Sequence, residues 1–401
     1  MTPERPRVYQ AILADHFARH RQMAFLSGPR QVGKTTLAEA LVGDRLINWD
    51  DADERRLLLA GPKEVARHFG LDALQSAPPL VGFDELQKFG RWKAFLKGFF
   101  DSYGKQARVL VTGSSRLEVF QRGGDSLMGR YLPYRIHPFS VGELARTELP
   151  GTPIRPPRAV KDTDFEALLK HGGYPEPFLR RDRRFSLRWG DLRLQQLLRE
   201  DIRDLTRVRE LGQLEVLARL LSERSATQLV YSNLAMDVQI SVDTVRRWVE
   251  TFRSLHLGFL VRPWFRNVAK ALRKEPRWFL LDWSCIEDDR ARTETFMACH
   301  LQKAVDAWND LGMGRFELRY LRDKEQREVD FIVIKDRQPW FLVESKHSRE
   351  NLSPALAYFQ CQTKAPHAFQ VTLEMDFVNA DCFRESGPIV VPARTFLSQL
   401  I

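Results

Sequence analysis

The run Gly28-Pro29-Arg30-Gln31-Val32-Gly33-Lys34-Thr35-Thr36 constrains this chain more than any other feature. It follows the apolar stretch Met23-Ala24-Phe25-Leu26, so a buried strand is expected to feed a glycine turn that opens a helix. The free N–H groups of such a turn and helix start point at phosphate oxygens. In that register Lys34 reaches the β and γ phosphates, and the Thr35 hydroxyl sits on a magnesium ion. All nine residues of the run are therefore candidates for binding ATP with Mg2+.

A second apolar strand, Leu80-Val81-Gly82-Phe83, ends in Asp84 and Glu85. Beside a phosphate loop, Asp84 is expected to hold magnesium through its water shell and Glu85 to polarise the attacking water. A third strand, from Arg108 to Thr112, ends in Gly113-Ser114-Ser115. If it lies between the other two, Ser114 or Ser115 faces the γ phosphate; the sequence does not choose between them, and a plain polar strand end stays open. Helical stretches separate the strands, one of them over 91–103 with Trp92, Phe95, Leu96 and Phe99 on one face. Strand alternating with helix predicts a parallel α/β sheet.

At 401 residues the chain is long for one core, and about two to four domains are expected. The formal charge of +10 suits a polyanionic partner, nucleic acid or an anionic membrane, although basic composition alone is weak evidence. Cys285, Cys299, Cys361 and Cys382 form no C-x-x-C pair, which argues against a structural zinc site and fits a reducing compartment. No apolar run approaches the ~20 residues needed to cross a bilayer, so a cytoplasmic protein without membrane contact is expected.

The motifs G-P-R-Q-V-G-K-T-T, G-F-D-E-L-Q-K, V-T-G-S-S-R, S-L-M-G-R and H-P-F-S-V-G-E-L make the chain similar to a family of bacterial and archaeal AAA-type ATPases. Members pair the ATPase with a C-terminal domain of unknown function that resembles restriction endonucleases. The resemblance covers nearly the whole chain in order. It implies an α/β fold with an AAA-type P-loop core over 1–150 and three further parts. These are an arginine-rich helical lid over 151–209, a winged helix over 210–265 and a nuclease-like domain over 266–401. By the same likeness Arg130, in S-L-M-G-R, touches the nucleotide in cis or from a neighbouring subunit, which implies a homo-oligomer in the second case. Capping of the sheet or contact with nucleic acid stays open for it.

The turn-rich break from Gly151 to Pro157 marks a boundary. Beyond it Arg180, Arg181, Arg183, Arg184, Arg188, Arg193, Arg199, Arg203, Arg207 and Arg209 crowd among helically spaced leucines. A solvated face is as open there as a phosphate-tracking surface or a subunit contact. The residues from Ser232 to Asp237 and from Ser241 to Trp248 form a helix-turn-helix pattern with Ser241 as a cap. Val245, Trp248, Val249, Phe252 and Leu255 line its core side, and a β wing is expected to start at Gly258. In a major groove the second helix presents Arg246, Arg247 and Arg253; a protein-contact role is the alternative.

In the last part, Arg327–Ile334 and Trp340–Lys346 read as strands joined by the turn Asp336-Arg337-Gln338-Pro339. Alternation places Glu344 and Lys346 on one face, and the hairpin can bring Asp330 beside them. That trio resembles the PD-(D/E)XK nuclease core. The likeness implies Asp330 and Glu344 as magnesium ligands, Lys346 positioning the hydrolytic water, and Glu294 as an additional acid on the preceding helix. The first acid lies in E-V-D, without the proline of the motif's name. The expected function is a nucleic-acid-directed ATPase, DNA ahead of RNA and branched DNA among its substrates, with Mg-dependent cleavage as one activity. The alternative is an ATP-controlled binding switch, or a regulator in stress or defence, whose nuclease-like domain is a non-catalytic platform.

Overall fold

The computed structural model describes residues 5–73, 75–113, 127–198, 211–264 and 275–401. Ser114 and Ser115 lie outside the described residues, as do Arg199, Arg203, Arg207 and Arg209. The chain forms two compact units. One ends at His137 and takes in Thr147–Leu149; the other comprises Pro138–Arg146 and Pro150–Ile401.

In the N-terminal unit, β1 (Met23–Ser27), β2 (Leu46–Asn48), β3 (Leu80–Asp84), β4 (Arg108–Gly113) and β5 (Tyr131–Arg135) form a parallel sheet. Its order is β2–β3–β4–β1–β5. β1 is buried at every position, which is why its sequence is continuously apolar and does not alternate. The helix Trp92–Tyr103 buries Trp92, Phe95, Leu96 and Phe99. Phe83 of β3 meets Phe95 and Phe99 edge-on, with centroids 5.7 and 5.3 Å away. Such pairs contribute about 0.5–1.5 kcal/mol each beyond burial. Because the strands are parallel, the carboxyl ends of β1, β3 and β4 reach one edge of the sheet, where α/β sheets bind ligands.

The C-terminal unit opens its described helical part with the short helix Val141–Ala145, followed by Asp162–His171 and Pro175–Arg180. The basic stretch forms a helix, Arg183–Gln196, capped by Asp182. Three more helices follow, Leu211–Glu223, Tyr231–Val238 and Val242–Ser254. The last is capped as expected: the Ser241 hydroxyl accepts the Thr244 N–H at 3.1 Å. Its apolar stripe, Val245, Trp248, Val249 and Phe252, is buried.

The strands of this unit are β6 (Thr227–Gln228), β7 (Gly258–Pro263), β8 (Arg277–Leu280), β9 (Phe316–Arg322), β10 (Glu328–Lys335), β11 (Gln338–Lys346), β12 (His367–Thr372) and β13 (Pro388–Pro392). They lie in one mixed sheet, in the order β13–β12–β11–β10–β9–β7–β8–β6. β7 pairs antiparallel with β8, and it also pairs parallel with β9 through Arg262 and Arg319. The sheet is therefore continuous across residue 265, where the sequence suggested a boundary. The helix Asp289–Asp310 is longer than the expected 293–304, because Asp288 caps it by accepting the Ala291 N–H at 2.7 Å. Cys299 and Cys382 are buried, whereas Cys285 and Cys361 are exposed. No helix among the described residues is long and apolar enough to cross a membrane.

Residues 138–146, part of the H-P-F-S-V-G-E-L motif, belong to this unit through polar contacts with the Asp289–Asp310 helix. Lys303 donates to the Pro138 carbonyl at 2.9 Å and pairs with the buried Glu143. The Val141 N–H donates to His300 Nε2 at 3.1 Å, and His300 Nδ1 donates to the Phe296 carbonyl at 2.7 Å. These partners fix the neutral tautomer. Burial pulls the His300 pKa down to about 3.

A pH dependence follows. Below an unfolded pKa of 6.5 the unfolded chain takes up a proton that the folded imidazole refuses, so stability is lost as pH falls from 6.5 towards about 3. The slope from this one group is about 1.4 kcal/mol per pH unit. His300→Gln is expected to flatten that acid limb by this amount, followed by urea unfolding with tryptophan fluorescence, since Trp283 lies 5.6 Å from the ring. An unchanged slope in the variant would show that His300 is not the group responsible.

Candidate functional site

The phosphate loop leaves β1 at Ser27 and needs conformations that its glycines supply. Gly33 has φ +95 and caps the helix Lys34–Val42. A Cβ on Gly28 would collide with the carbonyl oxygen of Ile136 and come within 2.7 Å of its Cγ2. Pro29 and Val32 are buried, Val32 completely, so the loop is fixed from below by an apolar plug. Arg30 is half-buried, while Gln31 and Thr36 are exposed. Gln31 also has a left-handed backbone, φ +62.

Lys34 is buried at 6 % exposure, with its ammonium donating to the carbonyls of Gly28 at 3.0 Å and Pro29 at 2.7 Å. The Thr35 hydroxyl donates to Asp84 Oδ2 at 2.7 Å. The two residues expected to share a magnesium ion thus meet across 49 positions of sequence. Asp84 Oδ1 accepts from the Thr112 hydroxyl at 2.5 Å and from the Glu85 N–H at 3.1 Å. Its place at the end of β3, beside β4 and one strand removed from β1, makes these contacts possible.

Glu85 has a left-handed backbone with φ +53, a conformation uncommon outside glycine, and its side chain meets residues that follow it in the chain. Its carboxylate accepts from Gln87 Nε2 at 2.9 Å and pairs with Lys88 at 3.3 Å. Lys88 in turn pairs with Asp50 at 2.5 Å. Burial works against the Lys88 ammonium, but the hydrogen bond to Asp50 and the charge of Glu85 outweigh it, so its pKa is raised.

Arg130 stands elsewhere. It directly precedes β5, and its carbonyl accepts the Met23 N–H at 2.9 Å, at the start of β1. The loop begins at the other end of β1, roughly 13–17 Å away at strand rise. Its guanidinium forms a two-point pair with Asp101, at 2.7 and 3.0 Å. The structure does not bring Arg130 to Lys34 of the same chain.

Arg7 was not visible as a site residue. Its guanidinium donates to the Val32 carbonyl at 2.8 Å and to the His137 carbonyl at 2.6 Å, and the His137 N–H donates to the Tyr9 hydroxyl at 2.9 Å. The loop is thereby tied to the strand that follows β1 in the sheet. Thr112 was also missed; its signal is a hydroxyl residue closing an otherwise apolar strand.

On the hairpin of the C-terminal unit, the register that pairs Phe331 with Val343 brings Asp330 level with Glu344. Asp330 Oδ2 accepts from the Ser345 N–H at 2.8 Å and its hydroxyl at 2.6 Å. Lys346 lies 3.4 Å from Glu344 and 3.4 Å from Glu350. Glu294 comes from the Asp289–Asp310 helix, and between it and the hairpin stands Arg277 of β8. The guanidinium contacts Glu294, Glu328 at 2.9 Å and Asp330 at 3.6 Å. Burial, then the charge of Asp330, pushes the Glu344 carboxyl up to about 8 and raises Glu294 well above the carboxylate range. Among the described residues no group of three or more His, Cys, Asp or Glu is arranged to hold a metal ion. Glu294, Asp330 and Glu344 do come together, and the Arg277 guanidinium stands beside two of them, Glu294 and Asp330.

Comparison with known proteins defines the class. Residues 20–145 match the AAA domain family, so the chain carries an AAA-type core and is an ATP-binding, ATP-hydrolysing enzyme. Residues 162–286 match a domain of unknown function, DUF8612, and the boundaries suggested at 209 and 265 both fall inside that match. The chain is similar to an uncharacterized protein of Mycobacterium tuberculosis and to one of Mycobacterium bovis. Each is 24% identical over 353 residues, 84% of this chain and 74% of the relative. Among solved structures it is similar to a Thermotoga maritima RuvB variant, at 14% identity over 67% of this chain and 92% of that one, with a TM-score of 0.28. It is also similar to an Aeropyrum pernix ORC1 protein in complex with DNA, at 12% identity over 74% and 94%, with a TM-score of 0.30.

The Arg7 tether is testable. Arg7→Met is expected to weaken ATP binding about tenfold by calorimetry, the loss of one charge-assisted tether to the loop. Affinity equal to that of the parent chain would show that the loop holds its shape without it.

Proposed function

We propose that this chain is a cytoplasmic ATPase that works on nucleic acid, DNA ahead of RNA. In this reading the loop from Gly28 to Thr36 binds ATP, with Lys34 on the β and γ phosphates. Thr35 holds Mg2+ directly and Asp84 holds it through water; a hydroxyl and a carboxylate 2.7 Å apart are hard oxygen donors suited to that ion. The ion neutralises charge on the transferring phosphoryl group. Glu85 activates water once it leaves Lys88, and Ser114 or Ser115 reports the γ phosphate. Arg130 serves a neighbouring copy, since its own loop is at the far edge of the sheet, and the working form is a homo-oligomer.

The DNA part of the reading is carried by one observation. The helix Val242–Ser254 is capped by Ser241 and buries one apolar stripe, leaving Arg246 and Arg247 exposed. Arg253 is less available, being paired with Glu250 at 2.6 Å. Residues 210–265 then act as a winged helix that places these arginines on phosphates or base edges. Residues 151–209 act as a lid, and residues 266–401 as a nuclease-like platform. The position of Arg277 favours a platform that binds without cutting.

Steady-state ATP hydrolysis tests the reading at fixed salt, with single-stranded, duplex and four-way-junction DNA. Severalfold stimulation by one form is expected, and turnover unchanged by every form overturns the DNA-directed part in favour of an ATP-controlled switch. Lys34→Ala abolishes turnover in either case. The double variant Arg246→Ala, Arg247→Ala is expected to weaken DNA binding across sequences and to lower the salt slope by roughly one to two. Arg130→Ala subunits mixed with Lys34→Ala subunits should recover activity if the arginine works in trans; no recovery at any ratio removes that role.

A further inference from the structure

The nuclease-like reading of the β10–β11 hairpin raises the question of which cation its acids hold. We infer that Arg277 is a built-in counter-ion whose guanidinium takes the place of a divalent metal among Glu294, Glu328 and Asp330, so that this cluster binds no Mg2+ and the domain does not cut.

Arg277 is buried, at 6 % exposure, and its position is fixed from both sides. Nη2 donates to the Ala226 carbonyl at 2.7 Å and also contacts Glu294. Nη1 faces Glu328 at 2.9 Å and Asp330 at 3.6 Å. One planar fork therefore reaches three acids from two elements, one on the Asp289–Asp310 helix and two on β10. A guanidinium suits this task because it stays charged, is weakly hydrated and presents its donors in a rigid geometry.

Two further oxygens of Asp330 and Glu328 have partners of their own, while Glu344 Oε2 is buried without a hydrogen bond. The second oxygen of Asp330 accepts both the N–H and the hydroxyl of Ser345, and Glu328 Oε2 lies 3.6 Å from Arg322. Glu344, the other expected ligand, lies 3.4 Å from Lys346. Magnesium demands close oxygen ligands in near-octahedral order and retains waters. To enter here it would have to approach a fixed positive charge and strip Asp330 from Ser345. Removal of the guanidinium leaves four neighbouring carboxyl groups with too few cations, which is the condition under which a divalent ion binds.

Mn2+ binding to the nucleotide-free full chain, read by electron paramagnetic resonance, tests this. The parent chain and Asp330→Asn are expected to bind Mn2+ alike, with no site that depends on Asp330. Arg277→Met is expected to gain a Mn2+ site that Asp330→Asn removes again. A parent chain with a Mn2+ site lost in Asp330→Asn overturns the inference while strengthening the nuclease reading, and a gel of duplex DNA with the same samples tests cleavage separately. Arg277→Met that keeps the parent's near-ultraviolet dichroism yet gains no Mn2+ also overturns it, leaving DNA binding through Arg246 and Arg247 unaffected. If Arg277→Met does not fold, the comparison of the parent chain with Asp330→Asn decides.

Discussion

The nucleotide site depends on one carboxylate. Asp84 closes β3 and is 1 % exposed, and its side chain accepts from three places: the residue after it, the end of β4 and the helix after β1. Thr35 reaches it from the helix after β1, and Thr112 from the end of β4. Such convergence requires β4 to lie between β1 and β3, and the order β2–β3–β4–β1–β5 provides it. A buried carboxylate is tolerable only where hydrogen bonds compensate its desolvation. The strand order and the acid therefore support each other: a different order would take the Thr112 hydroxyl away from Asp84 and leave the adjacent Glu85 N–H.

The two acid clusters of this chain solve that problem in opposite ways. Around Asp84 the donors are hydroxyls and an N–H, none of which carries a compensating charge. Around Asp330 the compensation includes a full positive charge from Arg277, supported by Arg322 and Lys346 at the rim. Neutral donors leave the negative charge of an acid in place, whereas an internal guanidinium offsets it. Similar residue types on strand ends thus acquire different chemistry from what stands between them.

This also explains what could be read from the sequence. Strands β1, β3 and β4 announce themselves as short apolar runs with polar ends, and the cap at Ser241 and the stripe from Val245 to Phe252 follow local rules that survive folding. Asp330 and Glu344 meet because a hairpin fixes register locally. Arg277 was illegible for the opposite reason: its partners lie on a distant helix and strand, and nothing in its neighbourhood marks it among many arginines. Arg7 is 25 residues from Val32, and its role exists only once the loop has folded over it. The helix-turn-helix and hairpin stretches looked separable in sequence, but the pairing of Arg262 with Arg319 joins them in one sheet, and no local pattern encodes a parallel pair that far apart.

The same arginines alter what net charge means here. A formal charge of +10 invites the inference of a polyanionic partner. Yet Arg7, Arg155 and Arg277 are buried, with backbone carbonyls of Val32, Leu400 and Ala226 among their acceptors. Arg193 is likewise enclosed, donating to the Tyr174 hydroxyl at 2.7 Å with its guanidinium 4.3 Å from that ring. Each acts as an internal connector, a use that the weak hydration of the guanidinium permits. Those charges contribute little to steering a nucleic acid from outside. The case for such a partner rests instead on where exposed arginines stand, and Arg246 and Arg247 carry it because a capped helix holds both on its solvent side.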